Sequence, residues 1–160
     1  IGYQPADEAY ELGLFHNCGI PLMLKRFPQY MAVLEQAYAS ADVKVRVIDG
    51  ENDQLATNHA VVGYYVAKSW NLPLHICDAI AQHHNVQGVF DEDASSDSKL
   101  KTLLAILKMA EHICGCSRTL GQQNYDYEWE SIMVSILEYV GLTEYEFDTL
   151  KDNIRDLDIR

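Results

Sequence analysis

Leu100-Lys101-Thr102-Leu103-Leu104-Ala105-Ile106-Leu107-Lys108-Met109-Ala110-Glu111-His112-Ile113-Cys114 reads as one helix with a carboxylate on its apolar side. Leu100, Leu103, Leu104, Leu107, Glu111 and Cys114 recur at helical spacing and form a single stripe. Two more stripes follow the same rule. Leu55, His59, Val62 and Val66 carry an imidazole inward, and Ile76, Ile80 and His83 carry a second, with His84 beside it. His16, in Phe15-His16-Asn17-Cys18-Gly19, also falls where an apolar face is expected. Burying a polar side chain is costly unless it is hydrogen-bonded or bound to something. Polar groups on the inward faces of successive helices therefore point to one shared pocket. Each has a plainer reading when taken singly: a core histidine bonded to a backbone carbonyl, or a Glu111 that snorkels or meets a lysine.

The rest of the chain extends this helical reading. A helix is expected from Ala6 to His16, ending near Gly19-Ile20-Pro21, followed by a turn or two over Met23–Phe27. Pro28 to Ser40 continues with Tyr30, Val33, Leu34 and Ala37 on one side. Val43 to Ile48 alternates like a strand without a partner, so an extended loop fits equally well, and Asp49-Gly50-Glu51-Asn52-Asp53 is turn material. Asp53 is expected to open the helix carrying His59, which runs to Trp70, and Pro73 the helix carrying His83 and His84. Those two neighbours stand about 100° apart on a helix, so both need not face the pocket. Asn85 to Ser98 reads as a mobile connector. Trp129, Ile132, Met133, Ile136 and Val140 form a later stripe that Gly141 ends. Thr143-Glu144-Tyr145-Glu146 is a capping box opening a last helix through Phe147, Leu150, Ile154 and Leu157. The class is all-α.

Composition narrows the function. At 160 residues and 48% apolar content the chain suits one domain with a real core. No apolar run approaches the roughly 20 residues that cross a bilayer. The start, Ile1-Gly2-Tyr3-Gln4-Pro5, lacks a basic leader, and the missing initiator Met fits the later part of a longer chain. A net charge of −12, from 24 acidic and 12 basic residues, opposes nucleic-acid and membrane-surface binding. Cys18, Cys77, Cys114 and Cys116 read as free thiols of a cytoplasmic protein. Cys114-Gly115-Cys116 lacks the second pair that a structural zinc site needs.

Imidazoles and carboxylates on facing helices are how a bundle holds a divalent metal, which polarises phosphoryl oxygens and generates hydroxide. The doublet His16-Asn17 departs from that chemistry, because a neutral amide lacks the anionic oxygen that bridges two metals.

Ala9-Tyr10-Glu11-Leu12-Gly13-Leu14-Phe15-His16-Asn17-Cys18-Gly19-Ile20-Pro21 resembles the GLLHDIG stretch of the HD superfamily of metal-dependent phosphohydrolases. Asn58-His59-Ala60-Val61-Val62-Gly63, Trp70-Asn71-Leu72-Pro73 and Ala79-Ile80-Ala81-Gln82-His83-His84-Asn85 narrow the likeness to the HDOD branch, the HD-related output domain of bacterial signalling proteins. Lys108-Met109-Ala110-Glu111-His112 stands where HD relatives write Ala-Asp, and Val140-Gly141-Leu142-Thr143-Glu144 also suits the branch. The resemblance covers roughly residues 5–115, with weaker agreement to about 157. It implies an HD-like helical bundle with additional C-terminal helices. Residues 1–120 would form the second part of the family domain, and residues 121–160 a helical extension packed on it.

The resemblance further implies a non-catalytic signal-output module that acts through protein partners or neighbouring signalling domains, with self-association open. Its degenerate metal site would draw on His16, Asn17, His59, His83, His84 and Glu111, with Lys25 and Lys108 as candidate phosphate-binding bases. No cofactor is expected; a divalent Mn, Fe, Mg, Ni or Zn is the one kind the site would take. The alternatives are a metal-dependent phosphohydrolase of nucleotides or cyclic dinucleotides, and a sensor that holds a small molecule in the old pocket.

Overall fold

A computed structural model describes residues 6–41, 44–91 and 97–157. Among the described residues the chain is helical throughout, without a strand. The order is α1 (Ala6–Phe15), α2 (Ile20–Arg26), α3 (Tyr30–Ser40), α4 (Val47–Leu55), α5 (His59–Ser69), α6 (Leu74–Gln82), α7 (Val86–Asp91), α8 (Ser98–Cys114), α9 (Cys116–Gly121), α10 (Tyr127–Val140) and α11 (Glu144–Asp156). None of these helices is long and apolar enough to cross a membrane.

Local chemistry sets the boundaries. Pro21 occupies the first turn of α2, where no N–H is needed. The Asn58 side chain accepts the Val61 N–H at 2.9 Å and starts α5, and Asp97 starts α8 by accepting the Lys99 N–H. Gly115 and Gly141 end α8 and α10 with φ of 72° and 73°, which glycine adopts freely. The Thr143–Glu146 capping box forms as the sequence predicts.

Three apolar clusters share the helices out. Met23, Tyr30, Leu34, Ala37 and Val47 join α2, α3 and α4. Leu12, Ile76, Ile80, Leu103, Leu104 and Leu107 join α1, α6 and α8. Val86, Ala105, Met109, Trp129, Ile136 and Phe147 join α7, α8, α10 and α11. Helix α8 thus serves two cores from two faces, and that places its polar residues between them.

Four sequence expectations need correction. Val47 and Ile48 are not an extended segment but the buried start of α4; Val43 itself lies outside the described residues. The helix forms because Asp49 accepts the Arg46 N–H at 2.9 Å, and because Gly50 lets α4 approach Ala37 of α3 closely. Ala56, at φ 55°, ends α4, so Leu55 and His59 belong to different helices. The connector after Asn85 begins as α7, whose Val86 and Val89 are buried, while 92–96 lie outside the described residues. Finally, α10 buries its stripe but α11 buries only Phe147, whose ring lies tilted against Trp129 with centroids 4.8 Å apart; Leu150 and Leu157 are exposed.

Trp129→Ala is therefore expected to cost about 3–5 kcal/mol in chemical denaturation. Leu150→Ala should stay within about 0.5 kcal/mol of the parent.

Candidate functional site

His59 opens α5 and is held from behind by Glu51 of α4. One Glu51 oxygen accepts the His59 backbone N–H at 2.8 Å and the other accepts Nδ1–H at 2.6 Å. His83 and His84 follow the end of α6. His83 donates Nδ1–H to the Ile80 carbonyl at 2.6 Å, and His84 donates Nδ1–H to Glu128 of α10 at 2.7 Å. With all three Nδ1 atoms committed to acceptors, the Nε2 atoms are left to face one another. His59 Nε2 lies 3.3 Å from His83 Nε2 and 3.1 Å from His84 Nε2. The rings are 1%, 0% and 3% exposed, so water does not satisfy them. The three Nε2 atoms thus converge on one point, the geometry in which imidazole lone pairs can meet a single ion.

The second half of the cluster surrounds Lys108. This lysine is 3% exposed, and its ammonium lies 2.7 Å from Glu111 and 3.0 Å from Glu128. The other Glu111 oxygen is 3.1 Å from His16 Nε2, which also contacts the Asn17 side-chain amide at 2.8 Å. His16 donates Nδ1–H to the Gly13 carbonyl and sets its ring edge-on to His83, with centroids 5.5 Å apart. A chain of polar contacts therefore runs Glu51, His59, His84, Glu128, Lys108, Glu111, His16.

Burial and charge compete along this chain. Burial disfavours the ionised Glu111, but the Lys108 ammonium and His16 outweigh it and hold the carboxyl well below its usual range. Burial likewise opposes a charged Lys108, and Glu111 with Glu128 reverse that and raise it. For His83 and His84 burial and the neighbouring cations prevail over the nearby Glu111. Burial, then His84, His59 and Lys108, pushes His83 far below 6.5; burial, then Lys108 and His59, does the same to His84.

The structure thus brings together His16, Asn17, His59, His83, His84 and Glu111. Lys108 joins them, but its ammonium is occupied by two carboxylates and is not open to a phosphate. Lys25 is apart: it is exposed on α2 and lines a groove with Leu22, Phe27, Thr57 and Val62, none of them in the cluster. His83 and His84 follow the last residue of α6, and both rings are buried in the cluster with centroids 4.2 Å apart. Sequence reasoning missed Glu51 and Glu128. Glu51 had a signal: Val47, Ile48, Glu51 and Leu55 share a helical stripe, the same pattern that marked Glu111. Glu128 carried none.

Tested against a divalent metal, the donor set splits. The nitrogens of His59, His83 and His84 lie within 4.8 Å of one another, and each ring is oriented by an acceptor, as metal-bound imidazoles are. These three could hold one ion. The carboxylate half does not fit, since Glu111 is tied to Lys108 and position 17 offers an amide. A cavity bordered by Tyr38, Lys108, Glu111 and Glu128 is only about 10 Å³, barely the space of one water.

The HDOD domain family matches residues 1–86, which include His16, Asn17, Glu51, His59, His83 and His84. The chain belongs to the HDOD family. The match ends short of the sequence resemblance, so Lys108, Glu111 and Glu128 lie beyond it. An uncharacterized protein of Treponema pallidum (strain Nichols) is 29% identical over 79 residues, which is 49% of this chain and 15% of that protein. The chain thus spans a small part of that relative. No solved structure matches.

The depressed imidazoles of this HDOD chain give a pH test. His83 and His84 are neutral when folded and take protons more readily when unfolded. In metal-free protein, stability should be full above pH 6.5 and fall below it, at up to about 2.7 kcal/mol per pH unit for two protons. Denaturant midpoints between pH 7.5 and 5.5 measure this, and His83→Gln with His84→Gln should flatten the profile.

Proposed function

We propose that this chain is a regulatory HDOD module of a bacterial signalling protein, acting in the cytoplasm through protein partners and not by hydrolysing phosphoesters. The observation that carries the reading is Lys108, whose buried ammonium sits 2.7 Å from Glu111 and 3.0 Å from Glu128. Two-metal phosphohydrolysis needs carboxylates free to bridge ions, and an open position for water and substrate. Here an internal cation takes up Glu111 and Glu128, Asn17 supplies no anionic oxygen, and the space beside Lys108, Glu111 and Glu128 is about 10 Å³. An ion held by His59, His83 and His84 would polarise whatever fourth ligand it bound. Enclosed as these rings are, it would serve mainly to fix the ends of α5 and α6 against each other. The polar cluster is then a stabilising core for a surface that partners read.

Wild-type protein is expected to show no metal-dependent turnover of generic phosphoesters or cyclic dinucleotides. Asn17→Asp and Lys108→Ala should each raise Mn²⁺ affinity by about tenfold in calorimetry, by adding or freeing an anionic oxygen, without creating turnover. Turnover in the wild type that disappears in both His16→Ala and His59→Ala would make this an enzyme instead.

A further inference from the structure

Away from the histidine cluster, a polar cleft of about 800 Å³ opens where the end of α8 and α9 face α11, and Arg118, Lys151 and Arg155 line it together. In a chain with 24 acidic and 12 basic residues, three cations around one space run against the overall field. Two carboxylates border the cleft, Asp126 and Glu130. Asp126 accepts the Trp129 N–H at 3.1 Å, starting α10, and its other oxygen accepts the His112 Nδ1–H at 3.0 Å. Glu130 is exposed at the rim.

The cations are far less committed. Lys151 donates to His112 Nε2 at 3.1 Å, and its nearest carboxylate, the exposed Asp148, is 4.0 Å away. Arg118 and Arg155 form no ion pair with a carboxylate among the described residues, although other cations of the chain do. The wall behind them is firm. His112 stacks on Trp129, with centroids 4.8 Å apart and planes 23° from parallel.

We propose that this cleft binds a phosphorylated small molecule, with its phosphoryl group held by Arg118, Lys151 and Arg155. Guanidinium forks match the tetrahedral oxyanion with paired N–H donors, and three cations against two bordering carboxylates leave the cleft net positive in an acidic chain. The volume lies in the range of small-molecule sites, roughly 300–1,000 Å³. Tyr125, half-exposed at the rim, offers a ring for a planar substituent. Asp126 links the site to the core, because it caps the helix that carries Glu128. The proposal is independent of whether the buried cluster binds metal or turns anything over.

The 160-residue chain titrated with pyrophosphate, and separately with ADP, tests this by amide NMR and calorimetry at constant ionic strength. Both should bind saturably, with shifts confined to residues 112–126 and 148–156. The exposed pair Arg118→Ala and Arg155→Ala should weaken both by at least about tenfold, while Lys25→Ala with Arg26→Ala changes nothing. ADP binding more tightly than pyrophosphate would place the base on Tyr125, and equal affinities would identify the phosphoryl group as the whole determinant. The proposal is overturned if neither probe saturates, if binding survives the double arginine substitution, or if the Lys25/Arg26 variant loses it equally.

Discussion

Charge balance in a dry interior is the constraint on which the rest of this structure depends. Glu51, His59, His83, His84 and Lys108 are all under 5% exposed, and Glu111 and Glu128 are largely covered. A buried ion without its partner is costly enough to offset much of a small domain's net stability. Each carboxylate in the cluster therefore meets a cation or an N–H, and the helices that carry the partners are fixed relative to one another. Lys108 is the counter-ion on one side. On the other side Glu51 and Glu128 accept the Nδ1–H groups of His59 and His84.

This arrangement has consequences for both chemistry and architecture. A site whose carboxylates are taken up by an internal ammonium and by N–H donors gives up the free carboxylates that hydrolysis through a bridging metal pair requires. It also draws the later helices into the cluster. Glu128 of α10 reaches both His84 and Lys108, so the set of partners is closed by a residue well outside the 1–86 family match. In this chain the C-terminal helices thus complete the polar core as well as the apolar one.

Much of the cluster could be read from periodicity, and the misses have physical causes. His16, His59, His83 and Glu111 stood out because each interrupts an apolar stripe, and a stripe reports which face is buried. Glu51 was hidden by its polar neighbours Asp49, Gly50, Asn52 and Asp53, which resemble a turn; Gly50 is there for the close approach of α4 to Ala37. Glu128 was hidden because its partners, Lys108 and His84, are distant in sequence and leave no periodic trace. The last helix shows the opposite limit. Its capping box marked its start correctly, but an amphipathic pattern says which face can be buried, not that a partner covers it, and Leu150 and Leu157 remain exposed.

The most direct test of the charge-balance account compares the folding stability of Lys108→Met with that of the triple variant Lys108→Met/Glu111→Gln/Glu128→Gln. The single substitution leaves Glu111 and Glu128 without their cation and should cost about 3–5 kcal/mol in denaturant unfolding, while the triple variant, neutral at all three positions, should recover most of that loss. A harmless single substitution, or a triple variant no more stable than the single one, would contradict the account.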